Sequence, residues 1–167
     1  MMDTSKSPPG DEAESVRLAV SADVPELVRV INAAFVVEQF VFEGDRINTP
    51  ETQARMESGQ FLAAEDSEGF AGCVYLEVRQ DRGYLGLLAV DPSRQGAGWG
   101  RKLVAAAEDY FRAAGCRAVD LRIISPRTPL PPFYRRLGYV EIGTAPFSNS
   151  LKTKVPGHYI IMSKRLF

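Results

Sequence analysis

Residues 90–103 read VDPSRQGAGWGRKL and carry the strongest structural signal in the chain. Gly96, Gly98 and Gly100 alternate with larger residues, between an apolar run that ends at Val90 and a helix-like run that follows. Glycine adopts backbone torsions that other residues avoid, and it lets other groups approach the chain closely. The spacing therefore predicts either a sharp turn or a loop against which something else lies.

The segments on both sides of this loop predict one βαβ unit. The run YLGLLAVD at 84–91 has the length and composition of a strand. The run GRKLVAAAEDYFRAAG at 100–115 repeats its apolar residues at helical spacing and ends on Gly115, a residue type common at helix termini. CRAVDLRII at 116–124 is again typical of a strand. Two strands joined through a helix predict parallel pairing across 84–124.

The rest of the chain predicts a mixed sheet with flanking helices. Further strands are expected at 16–20, 60–66, 70–80 and 158–166, and further helices at 23–35, 49–58 and 132–138. Residues 36–48 form a mixed stretch that ends in turn-forming residues. The order β-α-α-β-β-β-α-β-α-β indicates an α/β fold.

Length and composition favour one soluble domain over residues 16–167, preceded by a flexible tail at 1–15 that is rich in Ser, Pro, Gly and acidic residues. The formal net charge is -1, which gives no support to a nucleic-acid or membrane partner. No apolar run approaches the length of a membrane span, and the first residues lack the apolar centre of a signal peptide. We therefore expect a cytoplasmic protein, with Cys73 and Cys116 as reduced core residues and no metal site.

The glycine loop suits a phosphate group, because amides at a helix start and the helix dipole both attract anions. Arg94, Arg101 and Lys102 could add Coulombic attraction. Two familiar phosphate loops are excluded: both require glycine at position 101, and the P-loop also requires Ser or Thr where Leu103 stands. Taken alone, the three glycines are equally consistent with a turn that binds nothing.

Two motifs together resemble the GNAT superfamily of acyl-CoA-dependent N-acyltransferases. The first is Q-x-x-G-x-G, formed by Gln95, Gly98 and Gly100 directly after a strand, and the second is FYRRLGY at 133–139. The predicted element order over about 16–166 is similar to the GNAT fold as well. The resemblance implies a twisted, mostly antiparallel sheet with a splayed βαβ unit.

The resemblance also implies acetyl-CoA as acyl donor. The loop would face the pyrophosphate of the coenzyme, and the strand before it would pair with the pantetheine arm. The residues carried over to this role are Leu88, Ala89, Val90, Gln95, Gly96, Ala97, Gly98, Trp99, Gly100 and Arg101. Trp99 departs from the aliphatic residue usual at its position, and we expect it to pack into the core.

Transfer of an acyl group to an amine needs an acid for the leaving thiolate and donors for the developing oxyanion. Tyr134 matches the tyrosine of the family's Phe-Tyr pair, and the resemblance implies that it is the acid. A backbone amide near Leu88 or Ala89 would donate a hydrogen bond to the oxyanion. Many relatives carry a glutamate on the strand before the loop, but this strand has none. Glu77 on the preceding strand is the nearest substitute. The alternative is that Glu77 is a solvated strand residue without a role in catalysis. His158 or water are the alternative bases.

The acceptor amine is expected between the 36–48 stretch and residues 143–157, which flank the cleft in relatives. Phe40, Glu43 and Asp45 suit a small cationic or aromatic amine, and a peptide amine stays open. The resemblance thus predicts direct N-acetyl transfer in a ternary complex. It also suggests a homodimer, which is common in the family. Two other classes remain: a coenzyme-binding sensor without turnover, and an interaction domain whose glycine loop is only a turn.

Overall fold

The computed structural model describes residues 14–149 and 151–167. Most of the predicted tail, residues 1–13, lies outside the described residues. Four helices occur, α1 (Val24–Phe35), α2 (Thr49–Ser58), α3 (Trp99–Ala113) and α4 (Leu130–Arg136). The strands are β1 (Ser15–Leu18), β2 (Gln60–Asp66), β3 (Gly69–Arg79), β4 (Arg82–Val90), β5 (Ala118–Ile124), β6 (Val140–Pro146) and β7 (His158–Arg165).

These strands form a seven-stranded sheet in the order β1-β2-β3-β4-β5-β7-β6. All neighbouring strands are antiparallel except β4 and β5, which are joined through α3 and run parallel. The prediction of a mixed α/β fold with a βαβ unit at 84–124 is confirmed.

Helices cover both faces of the sheet, because each strand near the centre presents apolar side chains in both directions. On one face α1 packs Leu27, Val30 and Ile31 against β2, β3 and β4. On the other face α3 packs Leu103 and Phe111 in a larger core that also receives α4. Trp99 belongs to this second core and is 4% exposed, as expected.

The β4–β5 pairing is short. Only Arg82, Gly83 and Tyr84 pair with β5, although β4 continues to Val90 and β5 to Ile124. The two strands diverge beyond Tyr84, which leaves residues 85–90 without a partner strand on this side. At the usual rise per residue this open edge is about 20 Å long. The predicted splay of the βαβ unit is therefore present.

One strand was missed. The sequence predicts no strand over residues 140–146, and it places residues from 143 onward in a segment expected to flank the acceptor cleft. The structure places β6 there, paired with β7 at the edge of the sheet. Nearly all of its residues are exposed. Val140 and Ile142 alternate with Glu141, but the pattern stops there, because Gly143 and Pro146 are typical of a turn.

Both cysteines are buried and free, as expected. Burial raises the pKa of the Cys73 thiol to about 12. Within the described residues no helix is long and apolar enough to cross a membrane. In the same part of the chain no group of His, Cys, Asp and Glu side chains could hold a metal ion.

Candidate active site

The three glycines of the loop have two different functions. Gly96 and Gly98 have φ angles of +87° and +84°, which L side chains rarely adopt, and a Cβ at either would meet no atom within 4 Å. Gly100 lies in the first turn of α3, where a Cβ would come within 3.3 Å of the Phe133 ring. The first two therefore shape a loop that is open to solvent, and the third lets α4 approach α3.

This loop presents a row of unused amides. No backbone N–H of residues 95–101 donates to another described residue, and the first helical bond of α3 runs from Lys102 N–H to the Gly98 carbonyl, at 3.1 Å. Unused N–H groups at the positive end of a helix dipole form an anion site. The loop thus has unused amides and open space above Gly96 and Gly98, and its role in holding a phosphate stays a prediction.

Of the three cations expected beside the loop, two are engaged elsewhere. Arg94 donates to the Phe70 carbonyl and to Asp66, at 2.9 and 3.0 Å. Lys102 pairs with Glu14 at 2.8 Å and lies over the Trp99 ring. Arg101 has no ion pair within the described residues, so it is the one of the three whose charge is uncommitted.

The open edge of β4 carries a backbone distortion. Cys73 pairs with Ala89 and Tyr75 with Gly86, so that Val74 faces two residues, Leu87 and Leu88. Leu87 has a φ of +49°, which is unusual for a residue with a side chain. A bulge of this kind redirects the backbone around it. It lies where the oxyanion donor was expected, at Leu88 or Ala89.

Tyr134 interacts electrostatically with Tyr84, the last residue of β4 that pairs with β5. Its ring packs in the α3–α4 core against Phe133 and Tyr139, and the residue is 5% exposed. Its hydroxyl has no hydrogen-bond partner among the described residues, yet it is not sealed from solvent. Burial raises the pKa of Tyr134, which keeps the phenol protonated at neutral pH. The hydroxyl is therefore a protonated group that is free to donate.

Glu38 interacts electrostatically with Tyr134, and no sequence motif pointed to it. It ends the short 3₁₀ turn Val36–Glu38 that follows α1, and it is 7% exposed. The carboxylate has no ion pair or hydrogen bond within residues 14–149 and 151–167, although Arg127 and Arg46 act on it electrostatically. Burial raises the pKa of Glu38. Only its position inside the VVEQF run at 36–40, directly after two valines, could have hinted at it.

Glu77, the predicted base, is engaged in two bonds. It accepts from the Tyr75 hydroxyl at 2.7 Å and from Arg79 Nε at 2.9 Å. The hydrogen bond from Arg79, followed by that from Tyr75, lowers the pKa of Glu77. A lowered pKa weakens a proton acceptor, and its role as base stays a prediction.

The predicted acceptor residues Phe40, Glu43 and Asp45 lie exposed between α1 and α2. Their segment does contact the other expected one, because Phe42 and Thr153 form an isolated β-bridge and Phe42 packs edge-on against Phe147 at 5.5 Å. The structure thus joins the two segments expected to flank the cleft, and the acceptor roles of the three residues stay predictions. His158, the alternative base, is exposed at the start of β7.

A parallel strand pair that splays beside an amide-lined loop, with a tyrosine hydroxyl that has no hydrogen bond among the described residues, is the arrangement expected of an acyl-CoA-dependent acetyltransferase. The sequence model of the Acetyltransferase (GNAT) family matches residues 27–139. The chain therefore belongs to this family, whose acyl donor is acetyl-CoA.

Sequence relatives carry a more specific name. Mycothiol acetyltransferase of Saccharopolyspora erythraea is 32% identical over 141 residues, which are 82% of this chain and 46% of that protein. The mycothiol acetyltransferase of Gordonia bronchialis is 34% identical over 135 residues, or 75% of this chain and 44% of that protein. The chain spans slightly less than half the length of these relatives.

Solved structures agree on the fold. An N-acetyltransferase from Staphylococcus aureus superposes with a TM-score of 0.77 at 17% identity, covering 92% of this chain and 99% of that one. Spermidine N-acetyltransferase from Vibrio cholerae, in complex with CoA and spermine, gives 0.73 at 17% identity and covers 93% and 96%. The predicted fold class and family are confirmed.

Proposed function

We propose that this chain transfers an acetyl group from acetyl-CoA to a primary amine of a small molecule, directly within a ternary complex. The observation that carries the proposal is the open edge of β4. The unused amides of residues 95–101 follow this edge along the chain, and the edge begins after Tyr84, which interacts electrostatically with Tyr134.

The residues present fit the coenzyme. Unused amides at 95–101 can hold a pyrophosphate, and the space above Gly96 and Gly98 admits it. Unpaired backbone groups of Leu88, Ala89 and Val90 can pair with amides of the pantetheine arm, as an added strand would. Arg101 supplies an uncommitted positive charge. When bound, acetyl-CoA supplies the activated thioester.

The residues of the chain then assist one substitution. The acceptor nitrogen forms a bond to the acetyl carbon as the C–S bond breaks, and the amine proton passes to a base or to water. An amide at the Leu87–Leu88 bulge stabilises the oxygen that gains negative charge. Tyr134 donates its proton to the departing thiolate and is reprotonated from solvent, an assistance typically worth about 10²–10⁴-fold.

A small-molecule acceptor is supported by the names of the relatives, which are mycothiol acetyltransferases, and by the spermidine enzyme among the similar structures. The chain covers less than half of the former and shares only the fold with the latter, so neither acceptor is assigned here. The sensor and interaction-domain alternatives gain no support from these comparisons. Homodimerisation and a cytoplasmic location stay predictions.

The test is calorimetric titration of the purified protein with acetyl-CoA, followed by an assay of thiol release with a panel of amines. We expect micromolar binding and amine-dependent release of CoA. Failure of well-folded protein to bind acetyl-CoA would overturn the proposal and leave the loop a turn. Binding without turnover of any amine would instead favour the sensor.

A further inference from the structure

The acceptor side of the sheet carries an excess of uncommitted positive charge. Arg46, Arg55 and Arg122, here called the arginine cluster, make no ion pair within the described residues. They come from three separate places: the loop before α2, α2 itself, and β5. Arg46 interacts electrostatically with Glu38, but none of the three guanidinium groups has a described carboxylate at ion-pair distance, so three of them at one place require another explanation.

The guanidinium groups of the cluster contact aromatic rings instead of carboxylates. Arg122 lies over the Tyr159 ring at 4.4 Å, and Arg55 lies over the Tyr75 ring at 5.1 Å. Arg46 lies over Phe35 at 5.6 Å. Stacking positions a guanidinium through its flat face and leaves its N–H donors free at the edge. The cluster is therefore held in position for an anionic partner.

Two members of the cluster line a cleft at the place where β4 and β5 begin to separate. Arg55, Arg122 and Tyr84 border this cleft, whose volume is about 250 Å³. Tyr84 interacts electrostatically with Tyr134, and Arg46 interacts with Tyr84, Arg55 and Tyr159. A small molecule in this cleft would thus lie beside Tyr84, which is near enough to Tyr134 for the two side chains to interact.

The other charges of the cleft are already neutralised. Arg79 is bound to Glu77 at 2.9 Å, and Asp120 accepts from Arg82 and from Ser163. Glu38 does not line the cleft, but it is a buried carboxylate without an ion pair within the described residues, and it interacts electrostatically with Tyr134 and with Arg46. The cleft thus offers two guanidinium groups without ion pairs, and a carboxylate without an ion pair lies near Tyr134, where an amine would react.

We propose that the acceptor is a small amine that also carries an anionic group, a carboxylate or a phosphate. Arg55 and Arg122 bind the anion, Arg46 adds charge, and Glu38 receives the ammonium beside Tyr134. Guanidinium groups match both anions through paired hydrogen bonds. A polyamine is disfavoured, because its second cation would face the cluster. This inference rests on the proposed acetyltransferase function.

The test compares matched acceptors with the wild-type protein. Amino acids are paired with their amides, and O-phosphoethanolamine with ethanolamine, and thiol release gives kcat/KM for each. We expect the anionic member of at least one pair to be better by ten-fold or more. Two results would overturn the inference: equal or greater kcat/KM for the uncharged members or for polyamines, or no turnover of any anionic amine by protein that binds acetyl-CoA. Loss of acetyl-CoA binding itself would instead overturn the proposed function.

Variants then assign the residues. Arg55→Met and Arg122→Met should each raise KM for the anionic acceptor at least ten-fold and leave kcat/KM for its neutral partner unchanged. Glu38→Gln should lower kcat/KM for both members of a pair. The matched control is Arg165→Met, which removes an arginine at the end of β7 that has no ion pair with any described residue. If Arg55→Met and Arg122→Met behave like this control, the assignment of the cluster is wrong. Calorimetry should show unchanged affinity for acetyl-CoA in all four variants.

Discussion

Glu38 and Tyr134 belong to opposite faces of the sheet, yet they interact electrostatically through the gap between β4 and β5. Tyr134 packs in the α3–α4 core, whereas Glu38 follows α1 on the other face. Neither side chain has a hydrogen bond within the described residues, and neither has an oxygen fully sealed from solvent. Leaving two such groups unpaired costs stability, and it keeps both available to a ligand.

Tyr134→Phe should lower kcat by about 10²-fold or more, because the variant removes the proton donor of the leaving thiolate. The hydroxyl makes no hydrogen bond to described residues, so folding and acetyl-CoA affinity should be unchanged. Steady-state kinetics and calorimetry check both parts. Tyr110→Phe, on α3, is the control and should keep wild-type kcat. An unchanged kcat in Tyr134→Phe at saturating substrates would remove the residue from the mechanism.

Gly98→Ala should weaken acetyl-CoA binding at least ten-fold. Its Cβ would enter the open space in front of the amides, and the φ of +84° strains any side chain. Gly115→Ala is a matched control, since that residue has a φ of +82° and equally open surroundings at the other end of α3. Both variants should lose similar stability in thermal melts. A comparable loss of affinity in both would show that strain, and not the loop, controls binding.

Glu38→Gln should raise the melting temperature at pH 7. Burial raises the folded-state pKa of Glu38 against the opposing effect of Arg127 and Arg46. The fold therefore prefers the protonated form, whose stability contribution is full below the unfolded pKa and is lost as pH rises through the folded pKa. We expect a gain of about 2–4 °C, equivalent to about 1 kcal/mol in a protein of this size.

That gain should shrink at pH 4, where wild-type Glu38 is largely protonated. Glu57→Gln, on α2, is the control and should melt like the wild type at both pH values. A lower melting temperature for Glu38→Gln at pH 7 would mean that the carboxylate is paired and stabilising, contrary to the structure.

Neither cysteine of the folded protein should react with a thiol reagent. Cys73 and Cys116 are both fully buried, and burial raises the pKa of each, so little reactive thiolate forms. Titration with such a reagent should detect no thiol before denaturant is added and two afterwards. Rapid labelling of the native protein would contradict the burial of at least one cysteine. The expected result also makes thiol release a clean assay for this protein.

The local parts of the fold could be predicted from sequence because local signals define them. Helix α2 begins at Thr49 as predicted, since Asn48 accepts the Glu51 N–H and Pro50 favours the first turn. Strand β2 has the predicted bounds 60–66. Strand β6 could not be predicted, because an exposed edge strand needs no apolar pattern.

The residues of the site also divide into those that a local motif indicates and those that only the fold brings together. The glycine loop and Tyr134 belong to contiguous motifs, so the sequence indicated them directly. Glu38, Arg55 and Arg122 are far apart along the chain and belong to no motif. Their relation depends on the divergence of β4 from β5 and on stacking against Tyr75 and Tyr159, which only the assembled sheet provides.

The short junction of β4 and β5 has a consequence for the mechanics of the protein. Among the described residues, three residue pairs between β4 and β5 join the half-sheet β1–β4 to the half-sheet β5–β7. A molecule that pairs with the free edge of β4 forms backbone hydrogen bonds that the chain itself does not make there. Its binding free energy adds to the free energy of folding. A bound coenzyme would therefore stabilise the folded chain at the place where the sheet has its fewest residue pairs between neighbouring strands.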